Sequence, residues 1–182
     1  MLGVLGAFGL AAATGLNAYL PLLLVGLLAR YTHLITLKAP WSALTHPVVL
    51  VVIGVLLVIE FTVDKIPAVD TVNDVIQTVI RPAAGAILFA GSGNVISNVS
   101  PILAMVCGLL IAGGVHTAKA VARPAVTAGT AGIGNPVVSL AEDAASGVTT
   151  IVAVVAPVLL GLLLLLGVWL FIRWSERRKS QT

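Results

Sequence analysis

The chain has 182 residues, of which 59% are hydrophobic and only 9% charged, with a mean hydropathy of +1.11. Soluble domains carry roughly a quarter charged residues, so this composition excludes an ordinary soluble protein and points to an integral membrane protein of one domain, residues 1–182. The net charge of +3 comes largely from the tail "RWSERRKSQT", which reports topology and argues against a nucleic-acid partner, while the single Cys107 excludes an internal disulfide and a Cys-rich metal site.

Residues 1–30 hold two apolar pieces separated by "TGLNAYLP", where Gly15, Asn17 and Pro21 interrupt the pattern. At about a dozen residues each, neither piece spans a bilayer alone, so a discontinuous pair of helices is expected. Gly3, Gly6, Gly9 and the alanine run suit close helix packing. With no basic leading region, the start reads as mature sequence rather than a secretory signal. Residues 47–65 form the next span. Residues 82–115 read as a broken span, with the short "PAAGAILFAG" at 82–91 followed by "SPILAMVCGLLIAGGV" at 100–115. Gly129, Gly132, Gly134 and Pro136 punctuate 124–141, predicting a re-entrant or crossing segment. Gly147–Ile172 is the strongest span, which Pro157 is expected to kink without stopping. Trp169, Arg173, Trp174, Arg177, Arg178 and Lys179 close it and put the 173–182 tail in the cytoplasm. The expected fold is all-α, a polytopic membrane helical bundle with short broken or re-entrant helices.

Four of the seven carboxylates lie in "EFTVDKIPAVDTVND", residues 60–74. On a helix over 47–65, Glu60 and Asp64 share a face near its end, where the helix dipole disfavours negative charge. Protonation, an arginine partner or a bound metal ion would lower that cost. Pro67 biases Ile66 out of the helical region. An amphipathic helix follows, with Val72, Val75, Ile76, Val79 and Ile80 on one face, which makes Asp70 an N-cap and Asp74 a first-turn charge. Glu142 and Asp143 are adjacent, so only one of them is expected to face a central cavity. They also suit the non-cytoplasmic end of the last span. Asn17, Tyr19, Asn94, Asn98 and Asn135 sit near predicted breaks and suit capping or ligand contact.

A faint repeat aligns Val79-Ile80-Arg81-Pro82-Ala83 with Val121-Ala122-Arg123-Pro124-Ala125. Asp74, Gln77 and Arg81 then correspond to His116, Lys119 and Arg123. Each set makes one polar stripe on a helix expected to end at its Arg-Pro. No nucleophile elbow, Walker loop or His-Glu-x-x-His is present, which argues against an enzyme. The oxygen-only cluster around Glu60 and Asp64 suits a hard divalent cation, Mg²⁺ or Mn²⁺, as the one cofactor to be expected.

The motifs Asn17-Ala18-Tyr19-Leu20-Pro21 and Glu60-x3-Asp64-Lys65-x-Pro67-x2-Asp70, with "RPAAGA" and a Gly-rich segment before a final hydrophobic span, resemble the bacterial membrane family called domain of unknown function 4126. The resemblance covers nearly the whole chain, and it implies a polytopic helical fold in a bacterial inner membrane. A looser similarity links Glu60, Asp64 and Lys65 to cation/proton exchangers carrying Glu-x-Gly-Asp-Lys-Ser/Thr. Here the spacing is one residue longer, no glycine precedes Asp64, and Ile66 replaces the hydroxyl residue.

The expected function is a small transporter or channel for cations, with proton coupling through Glu60, Asp64, Asp70, Asp74 and Glu142, aided by Asn17. Arg81, His116, Lys119 and Arg123 would tune those charges or bind phosphate. The rival readings are a lipid or polyprenyl-phosphate handling protein, either a flippase or a Mg-dependent membrane enzyme, and a non-catalytic scaffold. Membrane lipids are the expected partners, and a homo-oligomer would supply further wall for a pathway.

Overall fold

The computed structural model describes residues 3–63, 67–92 and 100–157, with 159, 166, 167, 169 and 173; over 67–72 only the backbone is described. Among these, six α-helices and one short 3-10 helix occur and no strand. The helices are α1 (Val4–Leu16), α2 (Tyr19–Tyr31), α3 (Pro47–Val63), α4 (Pro67–Gly91), α5 (Pro101–Thr130) and α6 (Asn135–Val155), with the 3-10 helix Trp41–Thr45 between α2 and α3. Only α5 and α6 are long and apolar enough to cross a membrane; α5 alone is about 45 Å long at 1.5 Å per residue.

The chain breaks between α1 and α2 at Asn17, whose backbone is extended. Its side chain accepts the Leu20 N–H at 2.8 Å, capping the new helix, and Pro21 falls in the first turn of α2, where its missing N–H costs nothing. Small residues let α1 sit at the centre. It packs on α4, α5 and α6, with Ala7, Leu10, Ala11 and Ala13 fully buried. The larger apolar cluster joins Leu10, Leu22, Val25, Ile53, Leu57 and Leu88. α3 contributes one stripe to the interior, Leu50, Ile53, Leu57 and Glu60.

α4 and α5 form a long antiparallel pair. Gly85 and Gly108 meet backbone to backbone: a Cβ on Gly85 would lie 2.7 Å from the Gly108 carbonyl oxygen, and one on Gly108 would lie 2.6 Å from the Phe89 Cβ. Ser100 caps α5 by accepting the Leu103 N–H, ahead of Pro101 at its first position.

Three helix boundaries differ from the sequence expectation. The Arg-Pro pairs do not end their helices: Pro82 lies inside α4 and Pro124 inside α5. Each proline withdraws one backbone bond, from the Thr78 and Ala120 carbonyls respectively, and the extensive α4–α5 packing outweighs that loss. The separate segments expected at 82–91, 100–115 and 124–141 therefore belong to α4, to α5 through Thr130, to a turn at 131–134 with Ala131 and Gly132 at positive φ, and to the start of α6. Asp70 is not a cap, because α4 already begins at Pro67. Finally, α6 stops at Val155, and Ala156, pushed out of the helical region by Pro157, has φ −140 and ψ 63. Asp64, Lys65, Asn94, Asn98 and most of 158–182, including the predicted basic tail, lie outside the described residues.

Candidate functional site

α4, α5 and α6 each carry a polar stripe, and each turns it inward. On α4, Gln77 and Arg81 are buried while Val75 and Val79 are 70% and 73% exposed; on α5, His116, Lys119 and Arg123 are buried and Val121 is 74% exposed. α6 repeats the pattern, with Ser139, Asp143, Ser146 and Thr150 inside and Val137, Leu140, Val148 and Ile151 outside. The apolar face of α4 was legible at i, i+3 and i+4 spacing, yet it faces out.

These stripes meet Glu60 of α3 and the α1/α2 break to form an alternating row of charges. Arg81, wholly buried, donates from Nη2 to Glu60 Oε1 at 3.1 Å. Its Nη1 lies 3.9 Å from Asp74 Oδ1, and Arg123 Nη1 lies 4.0 Å from Asp74 Oδ2 and 3.8 Å from Glu142 Oε2. Lys119 Nζ closes on Glu142 Oε2 at 2.9 Å and reaches the Leu16 carbonyl at the end of α1, 3.4 Å away. The order is thus Glu60, Arg81, Asp74, Arg123, Glu142, Lys119, acid and base in turn. The outer links are closed at 2.9–3.1 Å, whereas the central links at Asp74 and Arg123 stand at 3.8–4.0 Å, too long for hydrogen bonds.

His116 fixes the direction of a side branch. Arg81 Nη1 is 3.1 Å from His116 Nδ1, and since a guanidinium can only donate, Nδ1 must accept. The imidazole is therefore neutral with its proton on Nε2, which donates to Thr78 Oγ1 at 3.1 Å; Thr78 in turn donates to the Asp74 carbonyl at 2.9 Å. At the helix break, Asn17 Nδ2 donates to Asp143 Oδ1 at 2.9 Å and Ser146 Oγ donates to the Ala13 carbonyl, tying α6 to the end of α1.

A cavity of about 620 Å³ adjoins the open central links, between α4, α5 and the first residue of α6. It lies within the size range of small-molecule sites. Asp74, Thr78, His116, Arg123, Thr127 and Asn135 supply its polar wall, and Val75, Ala120, Pro124 and Ala128 its apolar wall. Asp74 Oδ1 is buried without a hydrogen-bond partner. Thr127 Oγ1 bridges toward Asn135 Oδ1 at 3.1 Å, joining α5 to α6 across the cavity end.

Of the residues singled out from the sequence, Asp74, His116 and Arg123 line this cavity, and Arg81, Glu60, Lys119 and Glu142 are linked to them through the charge row. Asn17 is fully buried with its amide engaged on both sides, a capping and tethering residue outside the cavity wall. Both members of the Glu142-Asp143 pair are engaged, on different neighbours, because their side chains leave α6 about 100° apart and polar groups flank the helix on both sides. The expected placement at the end of the last span fails, since α6 begins at Asn135. The proposed metal ligand Glu60 is bonded to Arg81, and the side chains of Asp64 and Asp70 lie outside the described residues. Among the described residues no three His, Cys, Asp or Glu side chains gather as a metal site. Asp143 was missed as a site residue, although Ser139, Asp143, Ser146 and Thr150 recur at helical spacing and mark one face.

The family model for a domain of unknown function, DUF4126, matches residues 4–177, and the chain belongs to that family. No curated protein and no solved structure matches it.

Proposed function

We propose that this DUF4126 member is a small membrane transporter or channel whose solute occupies the cavity beside Asp74 and Arg123. The inverted helices carry this reading: valines outside and arginines inside are costly in water but suit a bundle surrounded by lipid acyl chains. Ionisable groups inside such a bundle face one another or a pathway, and a row of buried charges is expensive to keep without a use.

The row works by exchanging partners. A proton or a cationic group arriving at Asp74 weakens its hold on Arg123, which then closes on Glu142; Lys119, released by Glu142, moves onto the Leu16 carbonyl 3.4 Å away. Each move trades one partner for another, so no buried charge is left alone. Because Leu16 ends α1, the last step pulls on the α1/α2 break, the hinge at which a broken helix can open or close a path.

The test is flux in liposomes carrying the purified protein and an internal pH-sensitive dye, under imposed gradients of protons, Na⁺, K⁺ and Mg²⁺. Dissipation above that of empty liposomes, reduced tenfold or more in Asp74→Asn, is the expected result. A flux indistinguishable from empty liposomes for all of these ions and for small organic solutes would remove the transport reading. Arg123 on the cavity wall also suits a lipid phosphate. That second reading requires phosphate-lipid binding to fall in Arg123→Gln and to survive in Asp74→Asn.

A further inference from the structure

We infer that the cavity binds a small dipolar molecule, one bearing an ammonium and an anionic group on the same short skeleton, with the ammonium on Asp74 and the anion on Arg123. This deepens the transport reading and rests on it for the idea that the molecule is moved, but the binding site stands on geometry alone.

Three observations select this class. The first is charge balance. The row contains three acids and three bases, so among the described residues it is neutral before anything binds. A lone cation or anion would leave one uncompensated charge beside buried Arg81 and Arg123, whereas a molecule that is itself neutral overall leaves the balance intact. The second is where the row is loose. Its outer links are closed, and the loose ones converge on Asp74 and Arg123, the two oppositely charged residues on the cavity wall. A ligand with both charges sits side-on to that pair, giving N–H donors to the Asp74 carboxylate, whose Oδ1 is buried without a hydrogen bond, and oxygens to the guanidinium. The third is the rest of the wall. Val75, Pro124 and Ala128 form an apolar surface that takes a short aliphatic group and offers nothing to a bare, hydrated ion.

The same chemistry occurs in two sources, a free α-amino acid and the headgroup of an ethanolamine phospholipid. Both present a primary ammonium near an anion, and the probes separate them.

The full chain in non-ionic detergent is titrated by calorimetry with L-leucine and with two molecules that each keep one of its charges, 3-methylbutylamine and 4-methylpentanoate. A short-chain phosphatidylethanolamine and its phosphatidylcholine counterpart, which has no N–H, form the lipid arm. The expected result is that leucine, or the ethanolamine lipid, binds at least tenfold more tightly than its single-charge or N–H-free counterparts. Asp74→Asn and Arg123→Gln should each abolish that preference while the protein elutes as a single species. The comparison among probes on the unaltered chain stands even if a variant fails to fold.

Equal binding of the amine and leucine overturns the inference in favour of a cation site, and equal binding of the carboxylate overturns it in favour of an anion site. Binding of none of the probes also overturns it. The failures of the two readings are distinguishable: a dipolar probe that binds but is not carried into liposomes refutes transport and leaves the site, while ion flux without dipolar binding does the reverse.

Discussion

Replacing Arg81 by methionine tests whether the row of charges holds the bundle together. Arg81 and Glu60 are 0% and 1% exposed and meet at 3.1 Å. Methionine keeps the length of the side chain and removes only its charge and donors, so Glu60 is left as an uncompensated carboxylate among apolar helices and His116 Nδ1 loses its donor. Breaking a buried pair from one side costs about 3–5 kcal/mol, against a total stability on the order of 5–15 kcal/mol. For a chain of this size that corresponds to a fall of roughly 6–20 °C in melting temperature. Adding Glu60→Gln removes the stranded charge, so the double variant should regain most of the loss and lie within about 2 kcal/mol of the unaltered protein. Thermal unfolding in detergent, followed by tryptophan fluorescence for the unaltered chain, both single variants and the double, measures the cycle. If Arg81→Met falls by less than about 1 kcal/mol, or if the double variant loses the sum of the singles, the pair is not the buried, mutually dependent contact argued here.

Three further outcomes follow from the packing. Gly108→Ala places a methyl against the Gly85 carbonyl and the Phe89 Cβ, so α4 and α5 must separate; the folded yield should drop, while Gly114→Ala on the same helix, with open space around it, should leave it unchanged. Asn17→Ala removes the cap on the Leu20 N–H and a partner of Asp143, costing about 2–3 kcal/mol in the same melting assay. Ala131→Gly relieves a left-handed residue at the end of α5, φ 50, and should raise stability by about 1 kcal/mol; no rise would mean that this turn is not strained.

Much of the fold was legible because it depends on local chemistry. The break after Leu16 follows from an asparagine and a proline that interrupt an apolar run. The polar stripes of α4 and α5 follow from spacing, as does the apolar face carrying Val75 and Val79. What misled was proline. Pro82 and Pro124 each remove one hydrogen bond, a local signal to stop, and the contact between α4 and α5, made through Gly85 and Gly108, overrides it. Nothing local reveals that contact, since it joins residues far apart in the chain.

The sequence by itself determined that the chain is helical and apolar and that its charges recur at helical spacing, because composition and periodicity depend on each residue and its near neighbours alone. Which face of each helix turns inward was left to the tertiary structure, since a stripe of alternating character looks the same whether its polar side meets water or other helices. Only the assembled bundle brings Glu60 to Arg81, Lys119 to Glu142 and Asp74 within 4.0 Å of Arg123. Pairing of charges is set by where the helices cross, and the crossings are decided by glycines and alanines that carry no charge at all.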